Sequence, residues 1–276
     1  MENVESYSIL MSVYCKENPH FFEEALNSLA RQTLKTNDFV LVCDGPLTNE
    51  LDAVIDKYST IFGEKLNVIR LETNRGLGNA LAVGIEHCKN EIVLRADSDD
   101  ISIPRRAEKE IAFLNDQCAD VVSTDVILFQ RSINEPVGER KLPTSHEEIL
   151  KMSKSRSPFN HPSVMFKKQA VLNAGNYKTL LFKEDYYLWV RMIQNGSRAA
   201  NLSEPLVFMR VDDNLYKRRK NKDAYKSQKV LLKYMLKTRF IGRRVYLKSW
   251  FLYTALRVLP TPITKVAYSH VWKRTK

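Results

Sequence analysis

The chain has 276 residues, 44% hydrophobic and 27% charged, which suits one large globular domain with an appendage, or two small domains, and excludes a disordered chain. Four scattered cysteines make no CxxC pair, so neither a disulfide framework nor a zinc site is indicated. The net charge of +11 is uneven: residues 214–276 hold 18 Lys and Arg against one acid, Asp223, whereas residues 1–213 carry a net charge of −6. The opening MENVESYSIL lacks the basic and apolar pattern of a secretory leader, and no run approaches the ~18 apolar residues of a spanning helix. A cytoplasmic protein in a reducing compartment is expected.

The first third alternates strand and helix signals. SYSILMSVY (6–14) predicts a strand, and PHFFEEALNSLARQ (19–32) a helix behind a proline start. FVLVCDG (39–45) is a continuous apolar run of the kind buried on both faces. A helix over LDAVIDKYSTIFG, a strand at 67–72, a helix at 78–88 and a strand in EIVLRAD follow. A helix over 104–116 and a fifth strand over 119–130 complete an alternation that predicts a parallel, doubly wound sheet. Beyond residue 140 the pattern loosens. LPTSHEEILKMSK predicts a capped helix, HPSVMFKK a strand, and KQAVLNAG a short helix. FKEDYYLWVRMIQNG predicts a helix ended by Gly196, and EPLVFMRV (204–211) a last strand. Helical amphipathic segments run to the end.

Ligands of open parallel sheets bind beyond the C-terminal ends of the strands. There the first strand delivers Ser12, Val13, Tyr14 and then Glu17, the second Asp44, and the fourth Asp97, Ser98, Asp99 and Asp100. One Asp at a strand end is commonly a turn or cap residue, and Asp100 fits a cap for the helix led by Pro104. Three crowded carboxylates repel one another, and their hard oxygens suit Mg2+ or Mn2+. NRGLGNALAVG (74–84) is not a dinucleotide fingerprint, because Leu81 stands where GxGxxG needs glycine. Arg75 beside this turn suits either a diphosphate contact or an ordinary strand–helix loop. Asp185 suits a general base or a helix-dipole partner, with Glu184 beside it; Tyr186, Tyr187 and Trp189 suit an aromatic surface for a sugar ring or, next to Leu188 and Val190, part of the core. His161 is a catalytic candidate or a satisfied structural residue, on backbone that Pro162 biases toward extended.

Taken in order, YSILMSVYCKENPHFFEEALNSLARQT, FVLVCDG, NRGLGNALAVGI, RADSDDISIPRR, NHPSVMF, NAGNY, KEDYYLWVRMIQNG and MRVDDNLYKRR resemble an inverting family 2 glycosyltransferase. The resemblance covers about four-fifths of the chain, and points in particular to bacterial enzymes of capsule, exopolysaccharide or lipopolysaccharide synthesis. It implies a GT-A α/β fold: a Rossmann-like, mostly parallel sheet flanked by helices, here followed by a basic helical extension. It places Ser12, Val13, Tyr14 and Glu17 around the base and ribose of a nucleotide-sugar, with the base, usually uracil in the family, on Asp44. Arg75, Gly76 and Asn79 approach the same donor. Asp97-Ser98-Asp99 matches the metal-binding DxD motif, with Asp99 the direct ligand and Asp97 nearer the ribose. Asp185, of the ED pair, matches the catalytic base.

That chemistry is a single displacement from a UDP-sugar to a hydroxyl of a glycan or lipid-linked acceptor. Its general logic is that of inverting sugar chemistry, with charge stabilisation on one face and proton removal on the other. Relatives with a histidine after the last strand have a further metal ligand, whereas this chain reads Arg210-Val211-Asp212-Asp213. Arg210, Lys217, Arg218 and Arg219 are candidate diphosphate or acceptor contacts, or members of a solvated basic turn.

The sequence divides into a catalytic domain over 1–213 and an amphipathic basic extension over 214–276. FIGRRVYLKSWFLYTALRVLPTPITKVAYSHVWKRTK mixes aromatics with Lys and Arg, which predicts peripheral attachment to an anionic cytoplasmic leaflet, or a helical pair packed on the domain. Two other functions compete. A sugar nucleotidyltransferase needs a glycine-rich loop after the first strand, and CKENPHFF has no glycine. A non-catalytic nucleic-acid-binding protein would use the basic tail but leaves the acidic clusters without a role. No nucleic-acid partner is expected.

Overall fold

The computed structural model describes residues 5–212 and 221–258. Its strand–helix alternation builds β1 (Tyr7–Val13), α1 (Pro19–Ala30), β2 (Asp38–Cys43), α2 (Asn49–Phe62), β3 (Leu66–Arg70), α3 (Leu77–His87) and β4 (Ile92–Ala96). These strands lie parallel in the order β3-β2-β1-β4. β2 is buried throughout, as its unbroken apolar run requires of a strand covered on both faces. Then come β5 (Ile101–Ser102), α4 (Arg106–Asp116), β6 (Val121–Phe129), β7 (Pro136–Arg140) and α5 (His146–Ser153). β8 (Met165–Lys167), α6 (Lys168–Asn173), α7 (Glu184–Gln194) and β9 (Ala199–Arg210) follow. The described part ends with α8 (Lys222–Lys237) and α9 (Arg243–Val258).

The sheet continues β4-β8-β6-β9-β5, and β7 pairs with β6. It is mostly parallel but not wholly so: β8 runs antiparallel to both β4 and β6, and β5 and β7 are also reversed. The strict doubly wound alternation therefore stops after β4. The strand expected over HPSVMFKK shrinks to three residues behind a tight turn at His161–Ser163, so His161 is not in an extended strand. The last strand starts at Ala199, five residues before the apolar run that predicted it, because Ala199–Leu202 pair with Val121–Thr124.

Two apolar layers hold the sheet. Phe22, Leu26 and Leu29 of α1, Leu51 and Ile55 of α2, and Ile111 and Leu114 of α4 cover one face. Leu81 and Ile85 of α3, Val171 of α6, and Leu188, Trp189 and Met192 of α7 cover the other. α3 lies so close to the sheet that a Cβ on Gly84 would come within 2.4 Å of a Leu10 methyl. Leu231, Leu232 and Met235 of α8 pack on Tyr186 and Val190 of α7, so the start of the basic extension is packed on the sheet's helical layer.

Candidate active site

The ends of β1, β2 and β4 meet the N-termini of α3 and α7. At β2, Gly45 adopts φ +87°, and a side chain there would come within 2.7 Å of the Asn74 nitrogen. This close approach lets Asp44 accept hydrogen bonds from the backbone N–H groups of Arg75 (2.8 Å) and Gly76 (2.9 Å). Asp44 is thus the anchor of the turn that opens α3. Each carboxylate oxygen has a second lone pair, so this role and a base contact are compatible. Arg75 is exposed, and Asn79 is half-buried on the first turn of α3. Tyr14 is 42% exposed at the same edge, whereas Val13 is buried in the core.

β4 carries the acids. Arg95 is buried and pairs through Nη2 with Asp97, and its carbonyl accepts from buried Arg106 at 2.8 Å. Ser98 donates to Glu17 at 2.5 Å, joining the β1 loop to the acidic loop. Carboxylate oxygens of Asp97, Asp99 and Asp100 lie within 4.8 Å of one another. Burial first, then the charges of Asp97 and Glu17, push the Asp99 carboxyl up to about 7. Asp100 is held well above the carboxylate range, by burial and then by Asp99 and Asp97. Crowding, burial and hard oxygen donors fit a divalent cation, whose charge offsets this repulsion. Asp100 is not the expected helix cap: it accepts from the Arg210 N–H at 2.7 Å and fastens the acidic loop to β9.

Arg210 is not a free ligand contact. Its guanidinium lies 3.8 Å from the Phe21 ring centroid and 4.4 Å from that of Phe129. It pairs with Glu24 at 2.7 Å, and its side chain is 7% exposed. The sequence signals its charge but not the two aromatics that enclose it. Lys217, Arg218 and Arg219 lie outside the described residues.

α7 brings the second acidic pair to the same edge. A Cβ on Gly78 would lie 3.1 Å from the Glu184 Cβ, so glycine lets the starts of α3 and α7 touch. Glu184 is buried, and burial is the chief cause of its rise to about 7. Asp185 is reached by the Ser157 hydroxyl at 3.5 Å. The expected aromatic platform is corrected: Trp189 is fully buried against Phe159 and Phe166, where no sugar reaches it. Tyr186 is likewise buried, and Tyr187 packs edge-on to Tyr234. His161 contacts the Tyr177 hydroxyl at 3.1 Å, and burial followed by Arg95 keeps its ring neutral. It is half-buried and lies edge-on to Trp189.

A profile of Glycosyl transferase family 2 matches residues 8–174. The chain belongs to this family. Among relatives of this glycosyltransferase, an uncharacterized glycosyltransferase of Haemophilus influenzae is 38% identical over 95% of this chain and 97% of its own. The UDP-Gal:alpha-D-GlcNAc-diphosphoundecaprenol beta-1,3-galactosyltransferase of Escherichia coli is 33% identical over 99% of this chain and 98% of its own. Amylovoran biosynthesis glycosyltransferase AmsE of Erwinia amylovora is 36% identical, covering 95% and 97%.

The fold of this glycosyltransferase is of the GT-A type, similar to solved transferases. Staphylococcus aureus TarS superposes with a TM-score of 0.64 at 21% identity, over 91% of this chain and 43% of the TarS chain. A mannosyltransferase from Pyrobaculum calidifontis, solved with GDP-Man and Mn2+, gives 0.64 at 16% identity, over 96% and 74%.

Proposed function

We propose that this glycosyltransferase moves a hexose or N-acetylhexosamine from a UDP-sugar to a hydroxyl of a glycan or lipid-linked oligosaccharide, with inversion, in bacterial surface polysaccharide synthesis. The observation that carries the reading is the meeting of two acidic pairs at one sheet edge, Asp97 with Asp99 and Glu184 with Asp185. Ser12, Tyr14, Glu17 and Asp44 bind the base and ribose, with buried Val13 supporting the strand end beneath them, and Arg75, Gly76 and Asn79 hold the donor beside the α3 N-terminus. Asp97 and Asp99 would hold Mn2+ or Mg2+, which would supply positive charge to the departing diphosphate. Asp185 accepts the proton of the attacking hydroxyl, and Ser157 orients that carboxylate. The relatives named for galactosyl transfer to a diphosphoundecaprenol-linked sugar and for amylovoran biosynthesis support the acceptor class.

Catalysis falls to residues 1–213 and surface attachment to 214–276. None of the described helices is long and apolar enough to cross a membrane. On α9, Leu247, Phe251 and Leu252 are 61%, 71% and 52% exposed, among Arg243, Arg244 and Lys248. Exposed apolar groups interleaved with cations suit an anionic headgroup layer, and so a cytoplasmic enzyme peripheral on the membrane. Tyr253, on the packed side of α9, donates to the Ser155 carbonyl at 3.1 Å, two residues from Ser157.

The test is a panel of nucleotide-sugars with Mn2+ or Mg2+, read by thermal stabilisation and UDP release. A UDP-sugar that stabilises and turns over is expected; indifference to every nucleotide-sugar would overturn the reading. Co-sedimentation with anionic liposomes tests the surface, and a protein lacking 240–276 that pellets unchanged would remove that role.

A further inference from the structure

In β4, Ile92, Leu94 and Ala96 belong to the layer of α1, α2 and α4, whereas Val93 belongs to the layer of α3 and α7. Strand alternation therefore turns Arg95 toward α3 and α7. The guanidinium is 1% exposed. Its backbone is clamped on both sides, by an N–H bond to the Val164 carbonyl at 3.0 Å and by Arg106 on its own carbonyl.

Only part of that guanidinium is engaged. Nη2 pairs with Asp97, while Nε and Nη1 are buried and meet no hydrogen-bond acceptor among the described residues. Oε2 of Glu184 is likewise buried without a donor among them. Arg95 is thus turned to the side of the sheet where Glu184 opens α7, and its positive charge favours the ionised forms of Glu184 and Asp100. Unmet donors on a buried cation are costly, and replacing such a cation by an apolar residue is often neutral or stabilising. Packing alone gives no reason for an arginine in an otherwise apolar strand. Lysine would supply the charge but not a planar fork of five donors.

We propose that Arg95 is a positioning residue of the transfer reaction, whose buried guanidinium orients Asp97 on the donor side and steadies the Glu184 carboxyl group on the acceptor side. This rests on the glycosyl-transfer reading. A single rigid cation then registers the donor-binding carboxylate against the first turn of α7, which carries Asp185. The proton passes to Asp185, and Arg95 gives and takes none.

The experiment compares the full chain with Arg95→Met and Arg95→Lys, by UDP affinity, by kcat and KM, and by amide hydrogen exchange. Arg95→Met is expected to fold and to lose about 100-fold in kcat, as misplaced reacting groups do. Its UDP affinity should fall about 10-fold through the loosened Asp97. Acceptor KM should hold, and Arg95→Lys should recover part of kcat. Exchange should quicken in both 97–102 and 183–187. Unchanged kcat and affinity in Arg95→Met, or quickening confined to the neighbours of β4, would overturn the proposal. Should Arg95→Met not fold, Arg95→Lys carries the same readouts: weakened transfer with quickened exchange in both segments supports the proposal, and full activity overturns it. A wild-type chain that binds no nucleotide overturns the function reading instead, while exchange still decides whether Arg95 links the two acidic segments.

Discussion

Arg210 donates its Nε–H to the Asp99 carbonyl at 3.0 Å, so the last residue of β9 holds the loop that carries the acidic cluster. Two aromatic rings and Glu24 fix the guanidinium, and its backbone N–H binds Asp100. β9 and the acidic loop therefore move together. Arg210→Ala is expected to cost about 2–3 kcal/mol in urea unfolding, from lost cation–π packing and a broken charge pair. Transfer should fall as well. A variant with wild-type stability would show that the enclosure of Arg210 contributes nothing.

Gly78 sets the spacing between α3 and α7. Its Cβ position lies 3.1 Å from both the Glu184 Cβ and the Lys178 carbonyl oxygen. Alanine there should gain about 1 kcal/mol of helix propensity and lose a comparable amount to overpacking. Stability should hardly change, while kcat falls about 10-fold because Asp185 moves with the first turn of α7. Unaltered kcat in Gly78→Ala would separate this contact from the chemistry.

Acid–base behaviour follows from Glu184 and Glu110, both raised to about 7 chiefly by burial. Between the ordinary carboxylate range and about 7 the folded chain keeps protons that the unfolded chain has released. The share of these two groups in the stability therefore falls as pH rises through that window and is constant above it. His161, already neutral in the fold, contributes in the opposite direction below about 6.5. Melting temperature measured from pH 5 to 8 should accordingly fall less, or rise more, in Glu184→Gln than in wild type. A slope identical in Glu184→Gln and wild type would exclude a buried, proton-holding Glu184.

The cluster at β4 predicts that UDP binds more tightly with Mn2+ or Mg2+ and that EDTA removes the gain. Asp99→Asn should abolish the metal-dependent part while the chain remains folded, as isothermal titration and circular dichroism can show. UDP binding indifferent to EDTA would deny Asp97 and Asp99 their metal role.

The first half of the fold was legible because local and tertiary demands agree there. The apolar run of β2, the proline start of α1 and the acids after β4 each announce the element they build. β5 and β7 are too short or too polar to show a periodicity, and β8 is shortened by a turn that only its partners β4 and β6 define. Trp189 shows the limit at the site. Its spacing beside Asp185 suited an exposed platform as well as a core, and only the packing of Phe159 and Phe166 decides for the core. Arg95 did leave a signal, as the lone charge in IVLRA, but its burial and half-engaged guanidinium are three-dimensional facts.

Asp185 as the base is the assignment on which the proposed transfer turns. Asp185→Asn keeps the side chain's shape and removes its ability to take a proton, so donor binding and chemistry can be read apart. With the UDP-sugar found in the panel, the variant should bind with near wild-type affinity and transfer at a rate lower by two or more orders of magnitude, on the order of a lost general base. Near-normal turnover in Asp185→Asn would contradict the account.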